Sequence, residues 1–259
     1  MTINFHDEKN KSSYTTRTAD DSWIQLIHNN VHVSNKQMAD IGCGGGIYTK
    51  ALLSMGAAHV TGVDFSEAML KGAAEYCHAI DNVTFRQGDA YQTTLPANQL
   101  DIVLERALIH HLKDIDACFK EAYRVLKKKG FLIIQDRTPQ DCLVPGSENH
   151  IRGYFFEKFP HLIHTEVSRR YDSGQVKKAL ETNGFRLEKQ LSLWETRCEY
   201  LHFEELEKDL LLRAGRSILH ELTDEQLCEL VAFIRDRLPD TTGKMIEKDL
   251  WTIWIAQAY

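Results

Sequence analysis

A glycine-rich segment that follows a short apolar stretch constrains the fold of this chain more than any other feature. Residues 37–41 have the composition of a short strand, and the turn after them, residues 42–46, contains four glycines. Residues 47–55 then show the apolar spacing of a helix. A glycine-rich turn between a strand and a helix lets a ligand approach the backbone closely. The sequence therefore predicts a ligand site at the carboxyl end of the first strand.

The chain continues with alternating short apolar runs and amphipathic runs. Helices are predicted between the apolar runs, one of them capped by Ser66. This β-α-β-α alternation favours an α/β fold with a parallel sheet and helices on both faces. A further helix is predicted at 173–183. The remaining strands are predicted at 59–63, 83–87, 101–104, 131–134, 186–193 and 251–256.

Composition places the chain among ordinary globular proteins. Its 259 residues are 43% hydrophobic and 26% charged, which excludes disorder or collagen as a description of the whole chain. Acidic residues outnumber basic ones, 37 to 31, and the net charge is -6. We therefore do not expect binding to nucleic acid through bulk electrostatics.

The cysteines and the first residues bear on the cellular compartment. No two of the six cysteines have C-x-x-C spacing, so we expect buried thiols in a reducing cytoplasm and no zinc site. The N-terminal segment lacks the apolar stretch of a signal peptide, and no apolar run is long enough to cross a bilayer. The expectation is a cytoplasmic protein without membrane spans, and its oligomeric state stays open.

Asp40, two residues before the glycine turn, narrows the choice of ligand. The dinucleotide fingerprint G-x-G-x-x-G, counted from Gly42, needs glycine at position 47, where this chain has Ile47. A carboxylate at the edge of the turn would repel a pyrophosphate, but it would suit a cationic ligand without phosphate. S-adenosylmethionine is such a ligand, because it carries a sulfonium and an ammonium group.

Five segments together resemble the class I S-adenosylmethionine-dependent methyltransferases, most closely the group that methylates small molecules. They are DIGCGGG at 40–46, VTGVDFSEAML at 60–70, GDA at 88–90, LDIVLERALIHHL at 100–112 and RVLKKKG at 124–130. The resemblance implies a Rossmann-like, doubly wound sheet of seven strands, mostly parallel with the last strand antiparallel, and a helical cap insertion. It also implies S-adenosylmethionine as the cofactor.

The resemblance assigns roles to the polar residues near the glycine turn. Gly42 and Gly44 would line the turn beneath the methionine part of the cofactor, and Asp40 would meet its ammonium group, directly or through water. Asp64 would accept hydrogen bonds from both ribose hydroxyls. Asp89 would bind the exocyclic amine of adenine, although a Gly-Asp turn is also a common loop signal.

Four further residues are predicted cofactor contacts by the same resemblance. Ala90 would lie beside the adenine ring, and Phe65 and Met69 would make apolar contacts with it. Phe65 and Met69 are equally compatible with ordinary core packing at helical spacing. Glu105 follows the predicted fourth strand, together with Arg106, where family members place cofactor and substrate contacts.

Two predictions concern catalysis and closure of the site. A general base is needed only if the acceptor must lose a proton near the transition state, and His110 and His111 are the candidates, with a preference for His110. Residues 1–36 are predicted as an N-terminal helical lid in which Arg17 pairs with the cofactor carboxylate. A solvated arginine is the alternative for Arg17.

The methyltransferase domain is predicted to span residues 37–259, with a substrate loop at 137–171 and a helical cap at 199–238. The loop is rich in arginine, histidine and aromatic residues, so it could clamp an acidic or aromatic acceptor, or the aromatics could be core. His161 and His164 have metal-compatible spacing but lack a third ligand, so no metal is expected. The cap has ten acidic and five basic residues, which weighs against nucleic acid.

The leading hypothesis is a methyltransferase that transfers the methyl group to a small molecule by in-line displacement. A tRNA or protein methyltransferase is the second hypothesis, disfavoured by the acidic cap. A non-catalytic S-adenosylmethionine-binding regulatory protein is the third. The sequence names neither the acceptor nor the atom that is methylated.

Overall fold

The computed structural model describes residues 18–238 and 243–259, so Arg17 lies outside the described part of the chain. Within those ranges seven strands form one sheet, in the order β3-β2-β1-β4-β5-β7-β6. The strands are β1 (Gln37–Ile41), β2 (His59–Asp64), β3 (Val83–Gln87), β4 (Leu100–Arg106), β5 (Leu126–Asp136), β6 (Phe185–Tyr200) and β7 (Met245–Ala258).

The pairing of the strands confirms the predicted fold class. β1 pairs in parallel with β2 and β4, β2 with β3, and β4 with β5, whereas β7 runs antiparallel to β5. In this register Ile41, the last residue of β1, lies beside Val63 and Glu105. Because parallel strands end at the same edge of a sheet, β1, β2 and β4 bring their carboxyl ends together, where open α/β sheets bind ligands.

Side-chain caps begin several of the helices where the sequence predicts them. Ser66 accepts a hydrogen bond from the N–H of Met69 at 3.3 Å, Asp172 caps the helix after it, and Thr223 forms a capping box with Gln226. The helices are α1 (Asp21–Asn30), α2 (Ile47–Ser54), α3 (Glu67–Tyr76), α4 (Ile115–Val125), α5 (Pro139–Cys142), α6 (Ile151–Lys158), α7 (Leu162–Val167), α8 (Ser173–Thr182), α9 (Phe203–Leu211) and α10 (Asp224–Arg237).

The described residues divide into two compact units. The larger, the sheet unit, comprises 18–136, 171–193 and 252–259, and the smaller, the helical unit, comprises 137–170 and 194–251 without 239–242. The segments predicted as a substrate loop and a cap thus belong to one unit. No helix in the described ranges is both long and apolar enough to span a membrane.

The sheet unit has two apolar clusters, and alternate residues of its strands belong to different ones. Val103 of β4 lies in the cluster with α4 and α8, whereas Ile102 and Leu104 lie in the cluster with α1 and α2. Side chains of a strand alternate between the faces of the sheet, so both faces are covered. Trp23 and Ile27 of α1 are fully buried in the second cluster, so this part of the predicted lid is core.

The helical unit has an apolar cluster of its own, built from α6, α9 and α10 with Tyr200 and Met245. The sequence showed no period over 137–171, where the structure has α5, α6 and α7. The first six residues of α6, 151–156, are all buried. A helix buried on every side has no amphipathic period, which explains why α6 was not predicted.

Candidate functional site

The glycine turn adopts a backbone conformation that residues with a side chain rarely adopt. Gly42, Gly44 and Gly46 have φ values of 73°, 51° and 81°, in the left-handed region. A Cβ on Gly42 would also come within 2.9 Å of Leu108 Cδ1, and one on Gly46 within 3.1 Å of Ala73 Cβ. The three positions therefore favour glycine, and two of them, Gly42 and Gly44, stay partly exposed at the carboxyl end of β1.

Asp64, the last residue of β2, ties the glycine turn to the start of α3. Its Oδ2 accepts a hydrogen bond from the N–H of Gly44, and its Oδ1 accepts one from the N–H of Ser66, both at 2.9 Å. The structure thus places Asp64 against the glycine turn, as its predicted ribose contact requires.

Asp40 is buried beneath the turn. Its Oδ2 accepts a hydrogen bond from Thr49 Oγ1 of α2 at 2.7 Å. Burial raises the pKa of Asp40 to about 6, although the bond from Thr49 and the charge of Arg106 oppose the rise. A cationic ligand group close to this carboxylate would favour its ionised form.

The predicted adenine contacts differ in their surroundings. Phe65 is 47% exposed, so it is not core, whereas Met69 is buried and its Cε lies 3.5 Å from where a Cβ of Gly44 would be. Asp89 is exposed, and its Oδ1 accepts bonds from the N–H groups of the two residues after Ala90, at 2.7 and 2.8 Å. Ala90 itself is buried.

Glu105 and Arg106 are the last two residues of β4 rather than residues beyond it, and their environments differ. Glu105 is fully buried, and Cys118 Sγ donates to its Oε1 at 3.3 Å. Burial raises the pKa of Glu105 to about 7. Arg106 instead stacks on the ring of Tyr48, with its Cζ 3.9 Å from the ring centroid, and its charge reaches Asp40. Glu105 stays a predicted cofactor contact, and the positive charge of Arg106 would suit the carboxylate of the cofactor.

His110 lies in a short 3-10 turn, Ile109–His111, between β4 and α4. Its Nδ1 is 2.8 Å from Oδ2 of Asp136, the last residue of β5, and its N–H donates to the same carboxylate at 3.2 Å. Leu108, which precedes the turn, would meet a Cβ on Gly42. The histidine is therefore held beside the glycine turn by the carboxyl ends of β4 and β5.

Sequence reasoning missed Asp136 and Leu108. Asp136 is a buried carboxylate at the end of an apolar strand. An acidic residue directly after an apolar run is the sequence signal that could have identified it. Leu108 has no such signal, because its role is only to pack against Gly42. Among the described residues, no group of three or more His, Cys, Asp or Glu side chains could hold a metal ion.

The polar groups at this edge suit a ligand that is cationic and rich in hydroxyls. Asp40 and Asp64 lie beside the glycine turn, where a phosphate would meet negative charge. Within the turn, Gly42 and Gly44 are partly exposed. Asp40, Gly42, Gly44 and Asp64 are thus the residues that could hold such a ligand.

Comparison with known families identifies methyltransferases. The family model described as "Methyltransferase domain" matches residues 39–134, which contain the glycine turn, Asp64, Asp89 and His110. The ubiquinone biosynthesis O-methyltransferase of Coxiella burnetii (strain Dugway 5J108-111) is 30% identical over 169 residues, which cover 63% of this chain and 69% of that protein.

A second relative is similar in sequence and in structure. The uncharacterized methyltransferase YcgJ of Bacillus subtilis (strain 168) is 31% identical over 118 residues, or 44% of this chain and 46% of YcgJ. The YcgJ crystal structure superposes with a TM-score of 0.58 at 19% identity and covers 92% of this chain and 97% of that one. The chain spans about half the length of the first curated relatives it matches.

A second similar structure contains a bound ligand. Phosphoethanolamine N-methyltransferase 2 of Haemonchus contortus, in complex with S-adenosyl-L-methionine, superposes with a TM-score of 0.60 at 19% identity. The match covers 99% of this chain and 60% of that one. At this identity the likeness concerns the fold alone.

Proposed function

Because this chain belongs to the class I S-adenosylmethionine-dependent methyltransferase family, we propose that it transfers a methyl group from S-adenosylmethionine to a small-molecule acceptor. The observation that carries the proposal is the bond between Asp64 and the N–H of Gly44, which fixes a carboxylate against the glycine turn. In this proposal Asp64 binds the ribose hydroxyls, and Asp40 attracts the ammonium group. Arg106 or Arg17 pairs with the carboxylate.

When bound, S-adenosylmethionine would supply a methyl group that its sulfonium activates toward displacement by a lone pair of the acceptor. The residues of the chain then have two tasks, to position the reactants and to exclude water. Asp64, Phe65, Asp89 and Ala90 are proposed to bind the adenosine part. Met69, buried with its Cε close to Gly44, is proposed to make an apolar contact with the adenine.

His110 is the proposed general base for an acceptor that must lose a proton. The Asp136 carboxylate accepts the Nδ1–H of the ring, which places the basic lone pair on Nε2. The acceptor proton would pass to Nε2 as the methyl group is transferred, and Asp136 would stabilise the imidazolium that forms.

Two observations favour a small molecule as the acceptor. The Coxiella relative is named as an O-methyltransferase of ubiquinone biosynthesis. Residues 199–238 contain ten acidic and five basic residues, so this segment would repel a nucleic acid. The tRNA or protein alternative and the non-catalytic alternative have no comparable support.

Incubation with methyl-labelled S-adenosylmethionine tests the proposal. The protein is mixed with a cell extract, and the products are separated into small molecules, RNA and protein. We expect label in the small-molecule fraction, dependent on the protein and strongly reduced with the His110→Gln variant if the acceptor must lose a proton. Label in RNA or protein, or no transfer to any fraction despite cofactor binding, would overturn the small-molecule proposal.

A further inference from the structure

Tyr91, in the sheet unit, connects two segments of the proposed site. Its backbone N–H donates to Oδ1 of Asp89, the proposed adenine contact, at 2.7 Å. Its hydroxyl oxygen accepts hydrogen bonds from the N–H groups of Lys113 at 3.1 Å and Asp114 at 3.4 Å. These two residues follow the 3-10 turn that carries His110. One residue therefore joins the loop of Asp89 to the segment after His110.

The hydroxyl of Tyr91 binds N–H groups at the start of α4. Lys113 and Asp114 precede the first turn of this helix, so their N–H groups have no acceptor within it. Both residues are exposed, and water can accept these bonds when the hydroxyl is removed. The contact with Tyr91 therefore fixes where this segment lies and contributes little to the stability of the fold.

Short contacts connect this segment to His110. The N–H of Leu112 donates to the carbonyl oxygen of Ile109 at 3.0 Å, which closes the 3-10 turn around His110. The hydroxyl of Tyr171 donates to the carbonyl oxygen of Leu112 at 2.8 Å. Because residues 109–112 form one hydrogen-bonded turn, a shift of residues 113 and 114 is passed on to the ring of His110.

The fold depends on the two tyrosines to different degrees. Tyr171 packs against the apolar cluster of α4 and α8, and burial raises the pKa of its hydroxyl. Tyr91 is 40% exposed, so its ring contributes less to core packing. Removing the hydroxyl from this ring leaves no cavity in the core, and the Tyr91→Phe variant is expected to fold.

The loop of Tyr91 has a second attachment to α4, further along the chain. The N–H of Thr93 donates to Oε1 of Glu121 at 2.8 Å, and Nη2 of Arg124 donates to the carbonyl oxygen of Leu95 at 2.8 Å. These contacts do not involve the side chain of Tyr91. Loss of its hydroxyl therefore leaves the loop docked on the helix and removes only the contact with residues 113 and 114.

We propose that Tyr91 is a positioning residue that holds the turn of His110 in place relative to the loop of Asp89. Oδ1 of Asp89 accepts hydrogen bonds from the N–H groups of Tyr91 and Gln92, which fixes the backbone of Tyr91. The tyrosine hydroxyl then fixes the end of the turn. The role of this link in the reaction rests on the proposed function, whereas the link itself does not.

A double-mutant cycle tests whether Tyr91 acts through His110. The measurement is the initial rate of label transfer from methyl-labelled S-adenosylmethionine to the small molecules of a cell extract. We expect Tyr91→Phe to lower this rate about three- to tenfold, and to cause no further loss when combined with His110→Gln. Tyr123→Phe is the control, because it removes a hydroxyl bonded to the carbonyl oxygen of Tyr259, about 14 Å along α4 from Asp114. It should keep the wild-type rate.

NMR of the full chain without cofactor tests the link independently of methyl transfer. In Tyr91→Phe we expect amide hydrogen exchange at Lys113 and Asp114 to be about fivefold faster and the ring signals of His110 to shift, with neither change in Tyr123→Phe. Unchanged His110 signals in folded Tyr91→Phe would overturn the inference, as would an additive loss of rate in the double variant. Absence of methyl transfer by the wild type would overturn the proposed function alone, because the NMR comparison still decides the link.

Discussion

His110 and Asp136 form a pair that joins the turn after β4 to the last residue of β5. The Nδ1 atom of His110 lies 2.8 Å from Oδ2 and 3.0 Å from Oδ1 of Asp136, and the backbone N–H of His110 donates to the same carboxylate. Asp136 is 1% exposed. The pair is thus fixed by three contacts in a buried setting, which is the arrangement that orients a catalytic imidazole.

If His110 is the general base, removing its basic nitrogen should slow turnover. We expect His110→Gln to lower kcat about 10²-fold or more with little change in the affinity for the cofactor. Asp136→Asn should lower kcat and shift the pH dependence of kcat, because an amide no longer stabilises the imidazolium. Steady-state rates across pH, with calorimetry for the cofactor, measure both effects.

His111 provides a matched control for this prediction. It is the exposed neighbour of His110 and was the other candidate base. We expect His111→Gln to keep kcat within a few-fold of wild type. A larger loss for His111→Gln than for His110→Gln would show that the base had been assigned to the wrong ring.

Asp64 is predicted to contribute directly to cofactor binding. We expect Asp64→Ala to weaken binding of S-adenosylmethionine by about 1–3 kcal/mol, because buried hydrogen bonds to the ribose are lost. Asp64→Asn should lose less, since one acceptor oxygen remains. Asp81→Asn, an exposed residue of the same unit, is the control in the calorimetric titration. Equal affinities for wild type and Asp64→Ala would refute the ribose contact.

The raised pKa of Asp40 predicts that cofactor affinity depends on pH. Burial brings this pKa to about 6, so the carboxylate is mostly ionised at pH 7 and mostly protonated at pH 5. Because only the ionised form attracts the ammonium group, affinity should fall up to about tenfold between pH 7 and pH 5. Asp40→Asn should bind weakly and without this dependence. A wild-type affinity that is constant over this range would contradict the ammonium contact.

The raised pKa of Glu105 predicts that the stability of the folded chain changes with pH. Its pKa is about 7 in the folded chain, because it is buried, against 4.5 for an unperturbed glutamate. Between these values the unfolded state loses the proton first, so the free energy of unfolding falls as pH rises from 4.5 to 7, by about 3 kcal/mol. Denaturant titrations of Glu105→Gln should lack this contribution, so its stability relative to wild type should be greater at pH 8 than at pH 5. The same difference at both values would show that Glu105 is ionised in the folded chain throughout.

The sheet and the glycine turn follow from local patterns in the sequence. Apolar runs of strand length, the cap at Ser66 and the glycines at 42–46 are signals between near neighbours, and the structure confirms the fold they predict. Asp40 and Asp64 could be identified from the sequence because the glycine-rich turn at 42–46 marks the position of the site. Their roles in binding stay predictions until a ligand is measured.

The full lengths of β6 and β7 were not predicted from the sequence, because they depend on partners far along the chain. β6 was expected to end at residue 193, but it continues to Tyr200, and Arg197 there pairs with Glu247 and Asp209. β7 was expected to begin at 251, but it begins at Met245 and includes the buried carboxylate of Glu247. Charged residues usually lie at the surface, so a strand with buried ion pairs resembles a loop in sequence.

The His110–Asp136 pair shows the same limit at the site. The sequence singled out His110 but not its partner, because the two residues are 26 positions apart and meet only when the sheet forms.

Parallel calorimetric titrations of the full chain with S-adenosylmethionine and with NAD distinguish the proposed cofactor from a dinucleotide. We expect saturable binding of one S-adenosylmethionine per chain and no binding of NAD, because Asp40 and Ile47 disfavour a pyrophosphate at the glycine turn. Saturable binding of NAD, or no binding of S-adenosylmethionine by the folded protein, would contradict the proposed cofactor.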